Sequence, residues 1–210
     1  MAYTTVTRVR NALGALGKPK AQELVVADNF ADLTNFTQKT GTWTTSSNIA
    51  YVTPAAGGTS LLMLNALSSS SYTVVVQLAT TVRAGIFYNA TTSMSNYQAV
   101  MIDVASNEIR AVTVSTGTES TSNVGFTGSL LASTFYTLKV VNTGDTGEIW
   151  LDGQKQADIT SHTFDSGVCG VIMQGSASSS YAKDFQVTID GYFYSDSEIT
   201  TAIAVSQALI

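Results

Sequence analysis

The sequence is poor in the residues that carry most metal, redox and acid–base chemistry. Among 210 residues there is one cysteine, Cys169, and one histidine, His162. One cysteine excludes an intrachain disulfide and a cysteine-based zinc cluster, because such a cluster needs several thiolates. One histidine excludes any site within the chain that needs two imidazoles. Cys169 lies in an apolar run and is predicted to be a buried core residue, and His162 to be a surface residue in a loop.

Charged residues are also few, at 12% of the chain, and they are unevenly divided. Residues 1–22 carry +4 and no acid, whereas residues 23–210 carry −9, which together give the net charge of −5. The four bases of the first segment are Arg8, Arg10, Lys18 and Lys20. A basic arm on an acidic body argues against nucleic acid as a partner, because a nucleic-acid-binding body needs a basic face.

Long apolar runs are missing as well. No stretch approaches the roughly 18 residues of a membrane span. The N-terminal segment has bases but no continuous apolar run of seven or more residues, as a secretory signal would have. We therefore expect a protein made in the cytoplasm, without membrane insertion, that leaves the cell only by lysis or inside an assembled particle.

Threonine and serine, in contrast, are abundant, with 54 residues in total. Thr favours strands, and Ser favours turns. Alternation of apolar and polar residues predicts strands, and residues 142–147 and Asp152-Gly153 predict turns. The predicted strands are Leu61–Leu67, Tyr72–Leu78, Val82–Tyr88, Tyr97–Val104, Ile109–Ser115, Phe135–Asn142, Glu148–Leu151, Gly167–Met173 and Phe185–Tyr194. Many short strands without helical periods between them predict an all-β fold, an antiparallel β-sandwich or jelly roll.

The two ends of the chain differ from this body. Residues 1–27 are predicted to be an extended N-terminal arm, in which three apolar residues could line one face of a short helix that Pro19 ends. These apolar residues are Val9, Leu13 and Leu16. Residues 195–210 are predicted to be a short C-terminal helix or tail that begins with a capping box of Ser195 and Glu198. The tail carries no charge after Glu198, so we expect it to pack against the body or a neighbouring subunit.

Four parts of residues 28–194 carry short recurring patterns, such as an opening "D-x-F … W" and a strand that ends in "V-D-G". They are Asp28–Phe36 with Gly41-Thr42-Trp43, Ala84–Asn89 with Asn96–Asp103, Phe135–Val140 with Ile149–Gln154, and Gly167–Val171 with Lys183–Val187. Together they resemble the concanavalin A-like lectin/glucanase (laminin-G-like) jelly-roll domain, of the kind found in virion proteins of tailed bacteriophages. The resemblance implies a fold more than a function.

The resemblance also implies candidate sites. In some relatives the junction of the opening and closing strands binds a structural calcium, which here would involve Asp28 and Asp184. Sugars stack on aromatic rings, so the candidate glycan contacts are Trp43, Tyr88, Tyr97, Trp150 and Tyr181. Glucanases of this fold carry Glu-x-Asp-x-x-Glu on one strand, which supplies the nucleophile and the acid/base. No such triplet occurs in the sequence, so we expect no enzyme and no cofactor other than calcium.

Three function classes remain open. The favoured one is a structural, non-enzymatic virion protein, a capsid decoration (cement) or head-fibre protein of a tailed bacteriophage. Its basic arm would bind other virion subunits or a second copy of the chain, in a homo-oligomer. The alternative is a tail or fibre adhesin, or a carbohydrate-binding module that recognises host surface glycans. The third, a glycoside hydrolase, is the weakest because the catalytic carboxylates are missing.

Overall fold

The computed structural model describes residues 21–65, 67, 69–164, 166–175 and 178–191. The chain divides into two compact units, one of residues 24–188 and one that combines residues 1–23 with residues 189–210. The basic arm residues, their apolar neighbours and the predicted helix at 195–210 lie outside the described residues. The predictions for the arm and tail therefore stay predictions. The described residues contain no helix long and apolar enough to span a membrane.

Fifteen strands make up the described part of the chain. They are β1 (Ala21–Asp28), β2 (Phe36–Thr40), β3 (Thr44–Ser46), β4 (Ile49–Val52), β5 (Thr59–Leu64), β6 (Ser71–Ala79), β7 (Arg83–Ala90), β8 (Tyr97–Asp103), β9 (Glu108–Ser115), β10 (Thr118–Asn123), β11 (Tyr136–Thr143), β12 (Gly147–Leu151), β13 (Gln154–Ile159), β14 (Val168–Gln174) and β15 (Ser180–Gly191). Nine of them match the predicted strands to within a few residues, apart from the start of β15. Residues 21–27, assigned above to the arm, form most of β1.

The strands form two antiparallel sheets. An eight-stranded sheet has the order β13-β12-β11-β6-β15-β4-β3, with β1 also paired to β15. A seven-stranded sheet has the order β10-β9-β8-β7-β14-β5-β2. The chain is therefore an all-β antiparallel sandwich of the jelly-roll type, as predicted. Six strands have no counterpart among the predicted ones, namely β1 to β4, β10 and β13. Of these, the edge strands β10 and β13 are polar and largely exposed, so they show no apolar alternation.

The core lies between the sheets and is made by alternate residues of the central strands. In the eight-stranded sheet Val74, Val76, Leu138 and Val140 are fully buried. Phe30, Phe36 and Phe185 form an aromatic cluster with ring centroids 5.1–6.2 Å apart. Phe30 belongs to the segment after β1, Phe36 opens β2 in the other sheet and Phe185 lies on β15, so this cluster ties the two sheets together.

The predicted turn at Asp152-Gly153 is confirmed. Asp152 and Gly153 both have positive φ, of 48° and 77°, which is the backbone of the tight turn that joins β12 to β13. Gly170 on β14 lies so close to the carbonyl of Leu62 and the ring of Phe87 that a Cβ at this position would collide with both. The strand backbones therefore approach each other closely at Gly170, and Cys169 beside it is fully buried, as predicted.

Candidate functional site

The outer face of the seven-stranded sheet is filled by its own side chains. Arg83 and Arg110, with side chains 29% and 23% exposed, mark this face as the one turned away from the core. Because successive side chains of a strand point to opposite faces, the apolar residues on this face alternate along each strand with those that point into the core. They nevertheless form a second hydrophobic cluster, each less than a tenth exposed: Leu61, Met63, Phe87, Tyr97, Ala99, Met101, Val112, Val114 and Ile172.

A polar chain crosses this outer face. The carboxylate of Asp103, fully buried, lies 2.7 Å from Arg83 Nε and 2.9 Å from Arg110 Nε. Arg83 donates to Gln174 Oε1 at 3.2 Å, and Gln174 Nε2 donates to Glu119 Oε2 at 3.1 Å. Glu119 lies on β10 and Gln174 on β14, four strands apart in the sheet, so the sheet must curl strongly for them to meet. On this outer face the apolar side chains are buried and these polar side chains pair with one another, so the face does not form an open groove.

A second polar network is buried between the sheets. Asn89 has a φ of 50°, and its amide exchanges hydrogen bonds with Asn142. Tyr72 Oη donates to Asn89 Oδ1 at 3.1 Å and accepts from Asn89 N at 2.9 Å. Asn89 Nδ2 also donates to the Phe164 carbonyl at 2.7 Å. These hydrogen bonds join β6, β7, β11 and the loop before β14, so the network has a structural role.

His162 is part of the same region and is half-buried rather than a free surface side chain. Its Nδ1 lies 2.6 Å from the Gly144 carbonyl, and since a carbonyl only accepts, Nδ1 carries the proton. Nε2 is buried and has no hydrogen-bond partner among the described residues. Burial lowers the pKa of His162, against the opposing effects of the Gly144 carbonyl and Asp145. Burial also raises the pKa of the Cys169 thiol, so neither residue is placed as a nucleophile or base.

Three of the five predicted glycan-contact aromatics are wrong. Trp43, Tyr88 and Tyr97 are only 2%, 2% and 6% exposed. Trp43 donates from Nε1 to the Thr40 carbonyl at 3.2 Å, and Tyr88 packs edge-on against the His162 ring at 5.4 Å. Tyr97 belongs to the outer cluster. Each is covered by neighbouring side chains, which leaves no ring face open for a sugar to stack on.

Trp150 lies half-buried on the outer face of the eight-stranded sheet. Its ring is covered on one side by the ammonium group of Lys139, 4.0 Å from the ring centroid. Its Nε1 donates to Glu148 Oε2 at 2.9 Å, and Glu148 also pairs with Lys155. These two hydrogen bonds lower the pKa of Glu148. Trp150 is thus already stacked and hydrogen-bonded within the protein.

Tyr181 lies on the same outer face, on β15, and is also half-buried. It pairs in register with Tyr51 of β4, and the two rings are 6.3 Å apart at a tilt of 41°. Paired tyrosines at the surface offer both an apolar ring face and hydroxyl groups. Of the five predicted aromatics, Tyr181 is therefore the one that the structure places in a position suited to contact a ligand.

A cleft of about 550 Å³ opens three residues further along β15. This volume is within the usual range of ligand pockets, roughly 300–1,000 Å³. The residues that line the cleft are Ala27, Asp28, Asn29, Gln77, Asp184, Phe185 and Gln186. At about 3.3 Å per residue, Tyr181 is about 10 Å from Asp184 along the strand. We call the cleft together with Tyr51 and Tyr181 the β15 surface.

The backbone of β15 changes direction at Asp184. In regular alternation Lys183 would face out and Asp184 would face the core. Instead Asp184 has a φ of 53° and is exposed, and the next residue, Phe185, is fully buried. A non-glycine residue with positive φ is uncommon, although Asp tolerates it better than most. This irregularity turns the Asp184 carboxylate out into the cleft.

The polar groups of the cleft are mostly unpaired. Among the described residues, the side chains of Gln77, Asp184 and Gln186 have no hydrogen-bond partner. Asp28 differs, because its Oδ1 accepts from Phe30 N at 2.6 Å and its Oδ2 accepts from Asn35 Nδ2 at 2.7 Å. The cleft therefore presents one unpaired amide from β6, and one unpaired amide and one unpaired carboxylate from β15.

The predicted pair of Asp28 and Asp184 does line one cleft, since β1 and β15 are neighbours. Calcium takes six to eight oxygen ligands, with carboxylates among them. Both oxygens of Asp28 already accept hydrogen bonds from the protein, and no group of three or more acidic, His or Cys side chains in the described residues is placed to hold a metal. These residues do not fit a calcium ion.

Sequence reasoning missed Gln77 and Gln186. Each is a polar residue between two buried apolar residues on a strand, so alternation could have placed both on an outer face. Nothing in the sequence shows that residues 109 positions apart share a cleft, because that depends on β6 and β15 being neighbours.

Comparison with known proteins shows a class of fold. No protein-family model matches the chain, and no curated protein matches its sequence. Among solved structures it is similar to carbohydrate binding module CBM66 from Bacillus subtilis, with a TM-score of 0.65 at 16% identity over 72% of this chain and 94% of that one. It is also similar to the Emp46p carbohydrate recognition domain in its metal-free form, with a TM-score of 0.56 at 12% identity over 81% of this chain and 94% of that one.

A further similar structure is a sialidase, with a TM-score of 0.54 at 8% identity over 86% of this chain and 19% of that one. The fold that this chain shares with these structures is therefore an antiparallel β-sandwich of the jelly-roll type. At these identities the likeness shows the fold alone.

Proposed function

We propose that this protein is a non-catalytic carbohydrate-binding domain that binds a glycan at the β15 surface. The observation that carries the proposal is the cleft itself, which is lined by the unpaired side chains of Gln77, Gln186 and Asp184. A pair of tyrosines, Tyr51 and Tyr181, lies about 10 Å further along β15. Sugars are recognised by such combinations, because hydroxyl groups exchange hydrogen bonds with amides and carboxylates while the apolar face of a ring stacks on an aromatic side chain.

The similar structures support this reading over the virion interpretation. CBM66 is named as a carbohydrate binding module, and the Emp46p domain as a carbohydrate recognition domain. Both align over 94% of their own length, so the likeness extends to nearly the whole of each module. Gln77, Asp184 and Gln186 all lie on strands that pair with neighbours, and preformed hydrogen-bonding groups lower the entropic cost of binding.

The state of the described acids supports binding without hydrolysis. Hydrolysis of a glycosidic bond needs two carboxyl groups that flank it, one of them free to give a proton. Asp103 is held by two arginines, Glu148 by Lys155 and Trp150, and Asp28 by two hydrogen-bond donors. Asp184 is left as the one cleft carboxylate without a partner among the described residues.

The virion role stays a prediction alongside this proposal. Its main support is the basic arm and the uncharged tail, both outside the described residues. Partners among other virion subunits, host glycans on a cell surface and a homo-oligomer are likewise untested. A domain on a particle surface that binds glycans would satisfy both interpretations.

The proposal is tested by probing a printed glycan array with the full-length protein and with the Gln77→Ala/Gln186→Ala variant. We expect wild type to bind a defined subset of glycans and the variant to lose at least tenfold in affinity for them. Reducing-end analysis of the same glycans should show no cleavage over many hours. Absence of binding to every glycan would refute carbohydrate binding, and release of new reducing ends would refute the non-catalytic assignment.

A further inference from the structure

The charges around the β15 cleft are of one sign. Two carboxylates, Asp28 and Asp184, line it together with the neutral amides of Asn29, Gln77 and Gln186. No lysine or arginine is among the described residues that line it. Resting on the proposed function, we infer that the cleft selects uncharged or amino-bearing sugars and excludes sugars that carry a carboxylate, sulfate or phosphate group.

Two lysines on this face of the described part of the chain, Lys183 and Lys139, are directed elsewhere. Lys183 precedes Asp184 in the chain, but its ammonium group lies over the Phe135 ring, 4.4 Å from the centroid. Lys139, on β11 beside β6, places its ammonium group over the Trp150 ring. Both ammonium groups therefore gain a cation–π contact in their present positions. Neither lysine lines the cleft, where it could pair with an anion.

The two carboxylates contribute differently to this selection. Asp28 accepts hydrogen bonds from the Phe30 N–H and from Asn35 Nδ2, so each of its oxygens already has a partner within the protein. Asp184 has no partner among the described residues and is turned outward by its positive φ. Asp184 can therefore accept a hydrogen bond from a sugar hydroxyl or a stronger, charge-assisted one from a sugar ammonium. An anionic group in the same place would be repelled.

The size of the discrimination follows from the distance and the solvent. Two unit charges about 4 Å apart in a water-like environment repel by about 1 kcal/mol, which corresponds to a loss in affinity of about fivefold for one carboxylate. Because the second carboxylate lies in the same cleft, we expect the affinity for a neutral glycan to exceed that for its singly charged anionic counterpart by about tenfold or more. The difference should shrink as salt is added, because the cleft is open to solvent.

Asparagine at position 184 gives a clean test, because it has nearly the same shape as Asp and also tolerates positive φ. The full-length protein is titrated by calorimetry with each neutral glycan that binds on the array and with its sulfated or uronate counterpart. We expect neutral sugars to bind at least tenfold more tightly. In Asp184→Asn this preference should fall by about fivefold, and binding of amino sugars should weaken.

The matched control is Asp158→Asn, which removes one charge from β13, four strands away from β15 in the same sheet. It should leave the preference unchanged. Equal affinity for neutral and anionic glycans, or an unchanged preference in Asp184→Asn, would overturn the inference while leaving carbohydrate binding intact. If no glycan of any charge binds the wild-type protein, the proposed function falls, and the charge selection falls with it.

Discussion

Asn89 and Asn142 join the two sheets of the sandwich through their side-chain amides. Asn142 Nδ2 donates to Asn89 Oδ1 at 2.8 Å, and Asn89 Nδ2 approaches Asn142 Oδ1 at 3.4 Å. Asn89 lies on β7 of one sheet and Asn142 on β11 of the other, and each is at most 1% exposed. Buried amides that satisfy each other in this way stabilise one particular packing of the sheets.

Replacement of Asn89 by leucine should therefore destabilise the protein by about 3 kcal/mol. The change leaves Asn142 without one partner and also removes an acceptor from the Tyr72 hydroxyl. Equilibrium unfolding in urea measures the loss.

The double variant Asn89→Leu/Asn142→Leu is the control for this pair. Replacing both partners leaves fewer unpaired groups than the two single changes do separately, so the double variant should lose less than the sum of their effects. Strict additivity would contradict a direct interaction between the two amides.

Asp103 should contribute strongly to stability because its carboxylate is buried between two arginines. Asp103→Asn leaves Arg83 and Arg110 without their shared counter-charge, and we expect a loss of about 2–3 kcal/mol. The figure is below that of a fully buried pair because both arginines remain in contact with water.

Asp158→Asn is again the matched control, since Asp158 pairs with Lys155 at the exposed edge of the sheet. Exposed ion pairs contribute little, so this variant should unfold at nearly the wild-type urea concentration. Similar losses of unfolding free energy in the two variants would show that the buried Asp103 contributes no more to stability than an exposed ion pair does.

The single histidine makes the stability of the fold depend on pH. Burial holds the pKa of His162 below its unfolded value of 6.5. Between these two values the unfolded chain binds more protons than the folded one, so stability rises with pH. The contribution of neutral His162 is complete above pH 6.5 and is lost as the pH falls through the lower, folded pKa.

Urea unfolding of wild type and His162→Gln at about pH 7.5 and about pH 5.5 measures this dependence. Wild type should lose more stability than the variant on acidification, because glutamine does not titrate. A proton NMR titration gives the folded pKa directly from the one imidazole. A folded value at or above 6.5 would contradict the account.

The sequence predicted the strands of the sandwich better than it predicted which faces are exposed. In β8 all seven residues are buried, because the outer face of the seven-stranded sheet carries its own apolar cluster. Alternation therefore cannot tell the core side of Tyr97 from its outer side. Tyr97 and Tyr88 were candidate glycan contacts because sugars stack on aromatic rings, and alternation offers no means of seeing that both are buried.

The cleft was predictable only in part. The closing strand beside the opening strand brought Asp28 and Asp184 together as expected from the resemblance. The outward turn of Asp184 could not be expected, because it depends on a positive φ in the middle of β15. The contribution of Gln77 depends on the long-range pairing of β6 with β15, which no local pattern encodes.

The central claim, a glycan site at the β15 surface, is tested most directly by the amide spectrum of ¹⁵N-labelled protein during titration with a glycan from the array. The side-chain amide signals of Gln77, Gln186 and Asn29 should shift, together with the backbone signals around Asp184. Those of Asn89 and Asn142, buried between the sheets, should stay in place. Shifts confined to the other outer face, around Arg83, Glu119 and Gln174, would contradict the account.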